Sequence, residues 1–274
     1  MGINVLSLFD GMSCGQIALE RCGIEVDNYY ASEIDKYAIQ VAKKNYPNTI
    51  HIGDVTKVKA EDLPRIDLLI GGSPCQSFSR VGNGTGFDGS SKLFFEWVRL
   101  LRECDPKYFL LENVVMKKEW EQVISYELGV KPIAINSRLV SAQNRPRLYW
   151  TNIPVIEQPK DLGLVIGDVI EPIFSENYPN YLNLEFSGKK RKDFVKLSTE
   201  KASCLTASMY KGQVSSFCKN YEGWVYKYTP NDCERLQTVP DNYTACVSNT
   251  QRYKMLGNGW TVDVIAHIFK GLSK

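Results

Sequence analysis

Apolar runs and helical periods alternate along the first half of the chain. The apolar runs predict five strands, over residues 4–9, 28–33, 48–54, 65–72 and 107–114. Apolar positions at helical spacing predict three helices, one ending near residue 22 and two covering residues 35–46 and 91–104. Strands that alternate with helices of this length favour a parallel sheet covered by helices on both faces. The predicted fold class is therefore α/β, with a doubly wound sheet.

The pattern changes after residue 114. Two further strands with a polar turn region between them are predicted over 131–142 and 145–153, and from residue 153 to about 200 no period is visible. Helical character returns at Pro230, where Thr229 is a suitable N-cap, and a last helix is predicted over 261–272. We therefore predict a main domain of residues 1–152 plus 225–274 and a small lobe of residues 153–224.

Composition and charge exclude several classes of protein. The net charge of +2 means that any surface for nucleic acid must be local. The eight cysteines contain no Cys-x-x-Cys pair and the chain has two histidines, which argues against a zinc site. Neither a signal peptide nor an apolar run of about 18 residues is found. We expect a cytoplasmic protein that uses no metal, disulfide or membrane.

Polar residues follow the first three strands in positions that suit a nucleoside. Gly11 and Gly15 punctuate the first strand–helix turn, but their spacing does not match the Gly-x-Gly-x-x-Gly fingerprint of a dinucleotide site. Glu33 ends the second strand, where a carboxylate can accept two ribose hydroxyls. Asp54 ends the third strand and could accept from an adenine amine. Together they predict a cofactor that contains adenosine and lacks a pyrophosphate.

Cys75 stands directly after a proline, where the fourth strand gives way to a polar loop. A structural cysteine would more naturally lie inside the apolar run that precedes it. The carboxyl ends of strands carry the binding loops of α/β proteins. The position therefore places Cys75 where the active-site loops of α/β proteins are found.

Five motifs occur in an order that resembles the cytosine-C5 methyltransferase family. They are FDGMSCG, GGSPCQSFSR, LENV, QNRPR and GNGWTV. The serine before the Pro-Cys pair is a feature in which the chain resembles the subgroup typified by the animal de novo DNA methyltransferases. In showing no extra regulatory domains, the chain resembles stand-alone bacterial and phage enzymes. The resemblance implies a Rossmann-like, S-adenosylmethionine-dependent fold, in which the lobe recognises the target. It also implies duplex DNA as partner and S-adenosylhomocysteine as product.

The resemblance assigns a role to each catalytic candidate. Cys75 would add to C6 of a cytosine, which makes C5 nucleophilic enough to take the methyl group. Glu112 would contact N3 and the exocyclic amine, and it must carry or share a proton to donate to N3. Arg147 would donate to the ring O2 with help from Arg145, because residues two apart on an extended segment face the same way. The base that removes the C5 proton is not assigned.

The resemblance also extends the cofactor site. Phe9 would stack near the adenine, Leu93 would pack against the cofactor, and the motif near the C-terminus would line its methionine end. The cofactor-binding residues that it implies are Phe9, Asp10, Gly11, Met12, Glu33, Ile34, Asp54, Val55, Ser73, Leu93, Asn258, Gly259 and Trp260.

A cytosine in a duplex must be flipped out to reach Cys75, so we expect a loop that closes over the base and a basic surface for phosphates. The loop residues are Gln76, Ser79 and Arg80, within a glycine-rich stretch. The phosphate-binding candidates are Lys189, Lys190, Arg191 and Lys192. Phosphate contacts give affinity without sequence information, so the recognition sequence stays open.

Three alternatives remain open at this point. A tRNA cytosine-C5 methyltransferase would share the chemistry, although the Cys-Phe-Thr signature of those enzymes is absent. A non-catalytic DNA-binding homologue would usually have lost the candidate residues, which this chain retains. A nicotinamide dehydrogenase would be stabilised by NAD rather than by S-adenosylmethionine. Oligomeric state and pairing with a restriction endonuclease are not determined by the sequence.

Overall fold

The computed structural model describes residues 2–74, 93–154, 157–176, 180–186 and 188–273. The chain divides into two compact units. Unit 1 consists of Met1–Ile135, Pro146–Gln158 and Val264–Lys274, and unit 2 of Asn136–Arg145 and Pro159–Asp263. The second unit thus includes residues 225–263, which the sequence placed in the main domain. The functional division into a catalytic domain and a target-recognition lobe stays a prediction.

Unit 1 is built around one large sheet, in which seven strands are described. They are β1 (Ile3–Leu8), β2 (Val26–Ser32), β3 (Ile50–His51), β4 (Leu68–Gly71), β5 (Tyr108–Val114), β6 (Ile133–Asn136) and β7 (Pro146–Thr151). Their order is β3-β2-β1-β4-β5-β7-β6. Strands β1 to β5 pair in parallel, which confirms the α/β prediction. The chain order reverses between β1 and β4, and ligands of such sheets bind at this switch point.

The last two strands make the sheet mixed. β7 pairs with β5 in the antiparallel sense and separates β5 from β6. Only residues 137–145 connect β6 to β7, and a parallel crossover needs a dozen or more residues. The short connection therefore explains why the sheet is mixed at this edge.

Helices cover the sheet and bury an apolar core between the layers. The helices that lie wholly in this unit are α1 (Cys14–Arg21), α2 (Lys36–Asn45), α3 (Phe94–Cys104) and α4 (Lys118–Leu128). Asp35 caps α2 by accepting from the backbone N–H of Tyr37 (2.8 Å). Trp97 and Phe94 of α3 are fully buried in the core. No helix in the described ranges is long and apolar enough to cross a membrane.

Unit 2 contains short strands, 3₁₀ turns and helices. Its further elements are α5 (Ile166–Val169), β8 (Glu185–Phe186), β9 (Lys189–Lys190), β10 (Lys196–Leu197), β11 (Phe217–Lys219), β12 (Val225–Lys227), α6 (Pro230–Leu236) and α7 (Asn249–Asn258). The chain ends with α8 (Val262–Phe269) and a 3₁₀ turn. The Thr229 hydroxyl accepts from the N–H of Asp232 (3.2 Å), which confirms the predicted cap of α6.

Candidate active site

The turn between β1 and α1 has an unusual backbone. Phe9, Gly11 and Ser13 all have positive φ, at 57°, 60° and 64°. For a residue with a side chain this conformation costs about 1–2 kcal/mol. Strain of this kind concentrates at ligand-binding turns, where the rest of the fold maintains it. The turn lies at the carboxyl end of β1, beside the switch point of the sheet.

The carboxyl group of Asp10 braces this turn from within. It accepts hydrogen bonds from the hydroxyls of Ser7 (2.7 Å), Tyr29 (2.8 Å) and Ser13. Burial raises the pKa of Asp10 to about 6, although these three donors act in the opposite direction. The side chain is thus directed into the protein, where it holds the turn in shape.

Glu33 connects this turn to the start of α2. One of its carboxylate oxygens accepts from the N–H of Gly11 (2.8 Å), and the other from Ile34 (2.7 Å) and Asp35 (2.8 Å). A carboxylate has about four acceptor positions, so three backbone donors leave room for a further hydroxyl. The side chain of Ile34 is 76% exposed, which is unusual for a large apolar residue. Glu33 and Ile34 together offer a polar and an apolar surface side by side.

The third strand end is simpler. Asp54 caps the 3₁₀ helix Val55–Lys57 by accepting from the N–H (3.0 Å) and hydroxyl (2.9 Å) of Thr56. These hydrogen bonds hold the pKa of Asp54 below its usual value. Both bonds fall on one oxygen, so the second oxygen is open in the described part of the chain. Val55, like Met12, is buried in the core.

Ser73 lies two residues before Cys75 and is held by β5. The side-chain amide of Asn113 donates to the Ser73 hydroxyl (3.1 Å) and to its carbonyl (3.3 Å), and both residues are buried. Cys75 itself lies outside the described residues, as do Gln76, Ser79 and Arg80. Leu93, at the start of α3, is half-buried and packs against the core.

Glu112 and Arg147 form an ion pair at the carboxyl end of β5. The Nε of Arg147 lies 2.9 Å from a carboxylate oxygen of Glu112, and both side chains are largely buried. The strand register explains the contact. Val114 pairs with Arg147, so Arg147 and Glu112 are diagonal neighbours on the same face of the sheet. The two side chains that the sequence assigned to one cytosine ring therefore lie together.

Arg145 makes hydrogen bonds to other segments of unit 2. Its guanidinium donates to the backbone carbonyls of Leu205 (2.9 Å), Gly257 (3.0 Å) and Gly259 (2.8 Å). Arg145 precedes the first residue of β7, so the strand alternation that was expected to align it with Arg147 does not extend to it. Its assistance at the ring stays a prediction.

The remaining candidates also lie in unit 2. Asn258 ends α7 with an exposed side chain, and Gly259 and Trp260 follow it half-buried. The basic run begins in β9, where Lys189 and Lys190 are exposed, and continues into a 3₁₀ helix with Arg191 and Lys192 half-buried. No described group of three or more His, Cys, Asp or Glu side chains could hold a metal ion.

Sequence reasoning did not identify Asn113 or Tyr29. Asn113 follows Glu112 in the LENV motif, and a buried polar residue in an apolar strand signals a specific partner. Tyr29 belongs to none of the motifs, and its hydrogen bond to Asp10 joins residues 19 apart in the chain. Only the parallel pairing of β1 with β2 brings them together.

Comparisons with known proteins give a consistent result. The family model described as C-5 cytosine-specific DNA methylase matches residues 3–153 and 170–274. Type II methyltransferase M1.ScrFI of Lactococcus lactis subsp. cremoris is 30% identical over 296 residues, which cover 96% of this chain and 76% of that protein. Type II methyltransferase M.NlaX of Neisseria lactamica is 30% identical over 295 residues, which cover 97% and 94%.

The fold also matches solved structures. A crystal structure of a DNMT2 variant of Spodoptera frugiperda superimposes with a TM-score of 0.74 at 20% identity, and covers 100% of both chains. At this identity the likeness concerns the fold alone. The comparisons do not single out the animal de novo subgroup, so that finer assignment stays a prediction.

Proposed function

Because the chain belongs to the C-5 cytosine-specific DNA methylase family, we propose that it methylates C5 of a flipped-out cytosine in duplex DNA through a covalent adduct on Cys75. The observation that carries the proposal is the buried ion pair between Glu112 and Arg147. It supplies a carboxyl group and a guanidinium at the same strand end, beside the backbone that leads to Cys75.

The role of Cys75 is nucleophilic addition. Its thiolate forms a bond from Sγ to C6, and the electron pair of the C5–C6 double bond moves into the ring toward N3 and O2. C5 then becomes an enamine-like carbon. It would form the new C–C bond to the methyl carbon of the donor as the bond from that carbon to the sulfonium sulfur breaks, with S-adenosylhomocysteine as the leaving group. Loss of the C5 proton afterwards restores the double bond and expels the thiolate.

Glu112 and Arg147 stabilise the charge that this addition creates. Arg147 donates to O2, and Glu112 holds a proton at N3 and accepts from the exocyclic amine. The ion pair fixes the two groups before the substrate arrives, which lowers the reorganisation needed during the reaction. Asn113 supports the same step indirectly, because it fixes Ser73 just before Pro74 and Cys75.

S-adenosylmethionine, when bound, supplies the methyl group as an electrophile. The residues at the ends of β1 and β2 suit it. Around the position that a Cβ of Gly11 would occupy, no described atom lies within 4 Å, so a ligand can approach the backbone. Glu33 has acceptor capacity left for a ribose hydroxyl, and the exposed Ile34 offers an apolar face for a purine ring.

For DNA, we propose that Lys189, Lys190, Arg191 and Lys192 contact phosphates. The two lysines of β9 are exposed, and such contacts contribute a salt-dependent affinity. Gln76, Ser79 and Arg80 are proposed to close over the flipped base. Residues 153–224 are proposed to read the recognition sequence, as the target-recognition lobe of this enzyme.

The proposal is tested by transfer of a radiolabelled methyl group from S-adenosylmethionine to mixed-sequence duplex DNA, with tRNA in parallel. We expect label on DNA from the wild type and none from Cys75→Ser. Cys104→Ser is the matched control, since that half-buried thiol lies at the end of α3 and we expect full activity. Label on tRNA alone would favour the tRNA enzyme, and transfer by Cys75→Ser would exclude the adduct mechanism.

A further inference from the structure

The last turn of α7 is buried up to Gly257 and is capped by side chains from other segments of unit 2. The last four carbonyls of a helix have no partner within it and must be satisfied from outside. The carbonyl of Met255 accepts from the N–H of Gly259 (2.7 Å). The next two carbonyls, of Leu256 and Gly257, accept from side chains, of Gln237 (2.7 Å) and Arg145 (3.0 Å).

Gly259, the residue after the helix, receives two further hydrogen bonds on one carbonyl. The donors are Nη2 of Arg145 (2.8 Å) and Nε2 of Gln237 (3.1 Å). Both lone pairs of that carbonyl are thus engaged, which fixes the orientation of the peptide plane between Gly259 and Trp260. A positive charge at a helix C-terminus is also favourable to the helix dipole.

Gln237 is itself fixed by a buried polar network. Nε2 of Gln143 donates to Oε1 of Gln237 (3.2 Å), and the Thr261 hydroxyl donates to the same oxygen (2.7 Å). Ser137 donates to the Thr261 hydroxyl (2.8 Å). Gln143 and Gln237 are 0% exposed and Arg145 is 2% exposed. A fully satisfied buried network of this kind selects one conformation, because every alternative leaves a polar group unpaired.

The backbone of α7 at Gly257 is also constrained by a neighbouring segment. A Cβ on Gly257 would lie 2.1 Å from the backbone carbon of Thr206, so α7 and the 205–207 segment touch backbone to backbone. Arg145 joins these same two segments, through Leu205 and Gly257. Asn258, Gly259 and Trp260 therefore emerge from a helix end that is held from several directions.

We propose that Arg145 and Gln237 are positioning residues that set the conformation of Asn258–Trp260 for cofactor binding, and that Arg145 does not donate to the cytosine. This inference rests on the proposed function, in which Asn258–Trp260 contact the methionine end of the cofactor. Two arginines of one motif then serve different steps. Arg147 acts on the ring with Glu112, and Arg145 acts on cofactor affinity through the end of α7.

The test separates cofactor binding from chemistry. The dissociation constant for S-adenosylhomocysteine is measured by calorimetry without DNA, and the methyl-transfer rate is measured at saturating S-adenosylmethionine. For Arg145→Lys we expect about tenfold weaker S-adenosylhomocysteine binding, since hydrogen bonds from a charged donor are lost, and a rate within about threefold of wild type. Arg147→Lys is the matched control, with the opposite result: unchanged binding and a lower rate.

A milder variant covers the case in which Arg145→Lys does not fold. Thr261→Val removes the hydroxyl that orients Gln237 and keeps the volume, and we expect a weakening of S-adenosylhomocysteine binding of about threefold. Thr199→Val, on an exposed threonine that bonds Tyr221, controls for the substitution itself. Unfolding transitions in urea identify variants that are merely unstable.

Two results would overturn the inference. Unchanged S-adenosylhomocysteine affinity in both Arg145→Lys and Thr261→Val would show that the network does not set the cofactor site. A lower rate at saturating cofactor with unchanged affinity would place Arg145 at the cytosine instead. A wild-type protein that neither binds S-adenosylhomocysteine nor transfers methyl groups would contradict the proposed function itself, which is a different outcome.

Discussion

Arg147 stands opposite Val114 in the antiparallel register of β5 and β7, and its side chain meets Glu112 two residues back along β5. A register shift of one residue would turn Arg147 to the opposite face of the sheet. The pairing of these strands therefore determines whether the two proposed catalytic groups meet at all.

Glu112→Gln should reduce the methyl-transfer rate about 100-fold, because the amide cannot hold a proton for N3. It should also destabilise the fold by about 1–3 kcal/mol, since the buried Arg147 loses its charged partner. Single-turnover transfer and urea unfolding measure the two effects. Glu127→Gln is the control, because its pair with Arg102 is exposed and should contribute less than about 1 kcal/mol. A normal rate in Glu112→Gln would remove Glu112 from the mechanism.

Asn113→Ala should slow methyl transfer at saturating S-adenosylmethionine about tenfold, because Ser73 loses its two hydrogen bonds near Cys75. Asn152→Ala is a close comparison. Asn152 also bonds backbone, at Phe109 (2.8 Å) and Lys107 (2.9 Å), but at the opposite end of β5. We expect Asn152→Ala to lower stability only. Equal rates in the two variants would show that Asn113 has no part in positioning Cys75.

The free energy of unfolding should decrease with rising pH because of Asp10. Its pKa of about 6 exceeds the ordinary value of 3.8, so the native state holds the proton more tightly than the unfolded chain. The resulting stabilisation is complete below about pH 4 and is lost as the pH rises through 6, with a size of about 3 kcal/mol. Relative to wild type, Asp10→Asn should therefore be more stable at pH 7 than at pH 4.

Urea unfolding of both proteins at pH 4, 5.5 and 7 measures this difference. The contribution of Asp54 to stability should depend on pH in the opposite direction and serves as a control, since the bonds from Thr56 lower the pKa of Asp54. The stability that Asp54 contributes is present above about pH 4 and is lost at lower pH. Parallel pH curves for wild type and Asp10→Asn would refute the raised pKa of Asp10.

Substitution by phenylalanine should reduce stability by different amounts at two buried tryptophans of unit 1. Trp150 donates its indole N–H to the Ser125 hydroxyl (2.9 Å), whereas the Nε1 of Trp97 has no partner among the described residues. Trp150→Phe should therefore cost about 1 kcal/mol more than Trp97→Phe in urea unfolding. Trp97 lies against Gly71 in the same core. A larger loss at Trp97 would indicate that its N–H has a partner, such as a buried water.

The strands were predicted well because burial on both faces leaves a plain apolar run, as in β4 and β5. Three helices, α4, α5 and α7, were not predicted. In α4, Ile124 and Leu128 are buried while Val123 and Tyr126 are exposed, so the sequence shows no clean apolar stripe. In α7 polar residues predominate, and its buried Arg252 is satisfied by Glu234 rather than by solvent.

The candidate site was predicted where a motif carries the chemistry, as with Glu112 and Arg147. Sequence alone could not separate Arg145 from Arg147, because that requires knowing that β7 begins at Pro146. The contacts of Gln237 and Thr261 were equally inaccessible. They join residues far apart in the chain, and nothing local to either residue indicates a partner.

The order of strands in the sheet has a consequence for synthesis on the ribosome. β6 is made before β7, yet β7 is the strand that joins β6 to the rest of the sheet. Until residues 146–151 emerge, β6 has no place to pair and β5 is left as an open edge with apolar faces. Unpaired edges of this kind invite association between nascent chains. Translation pauses just before β7 should therefore lower the yield of folded protein more than pauses after it.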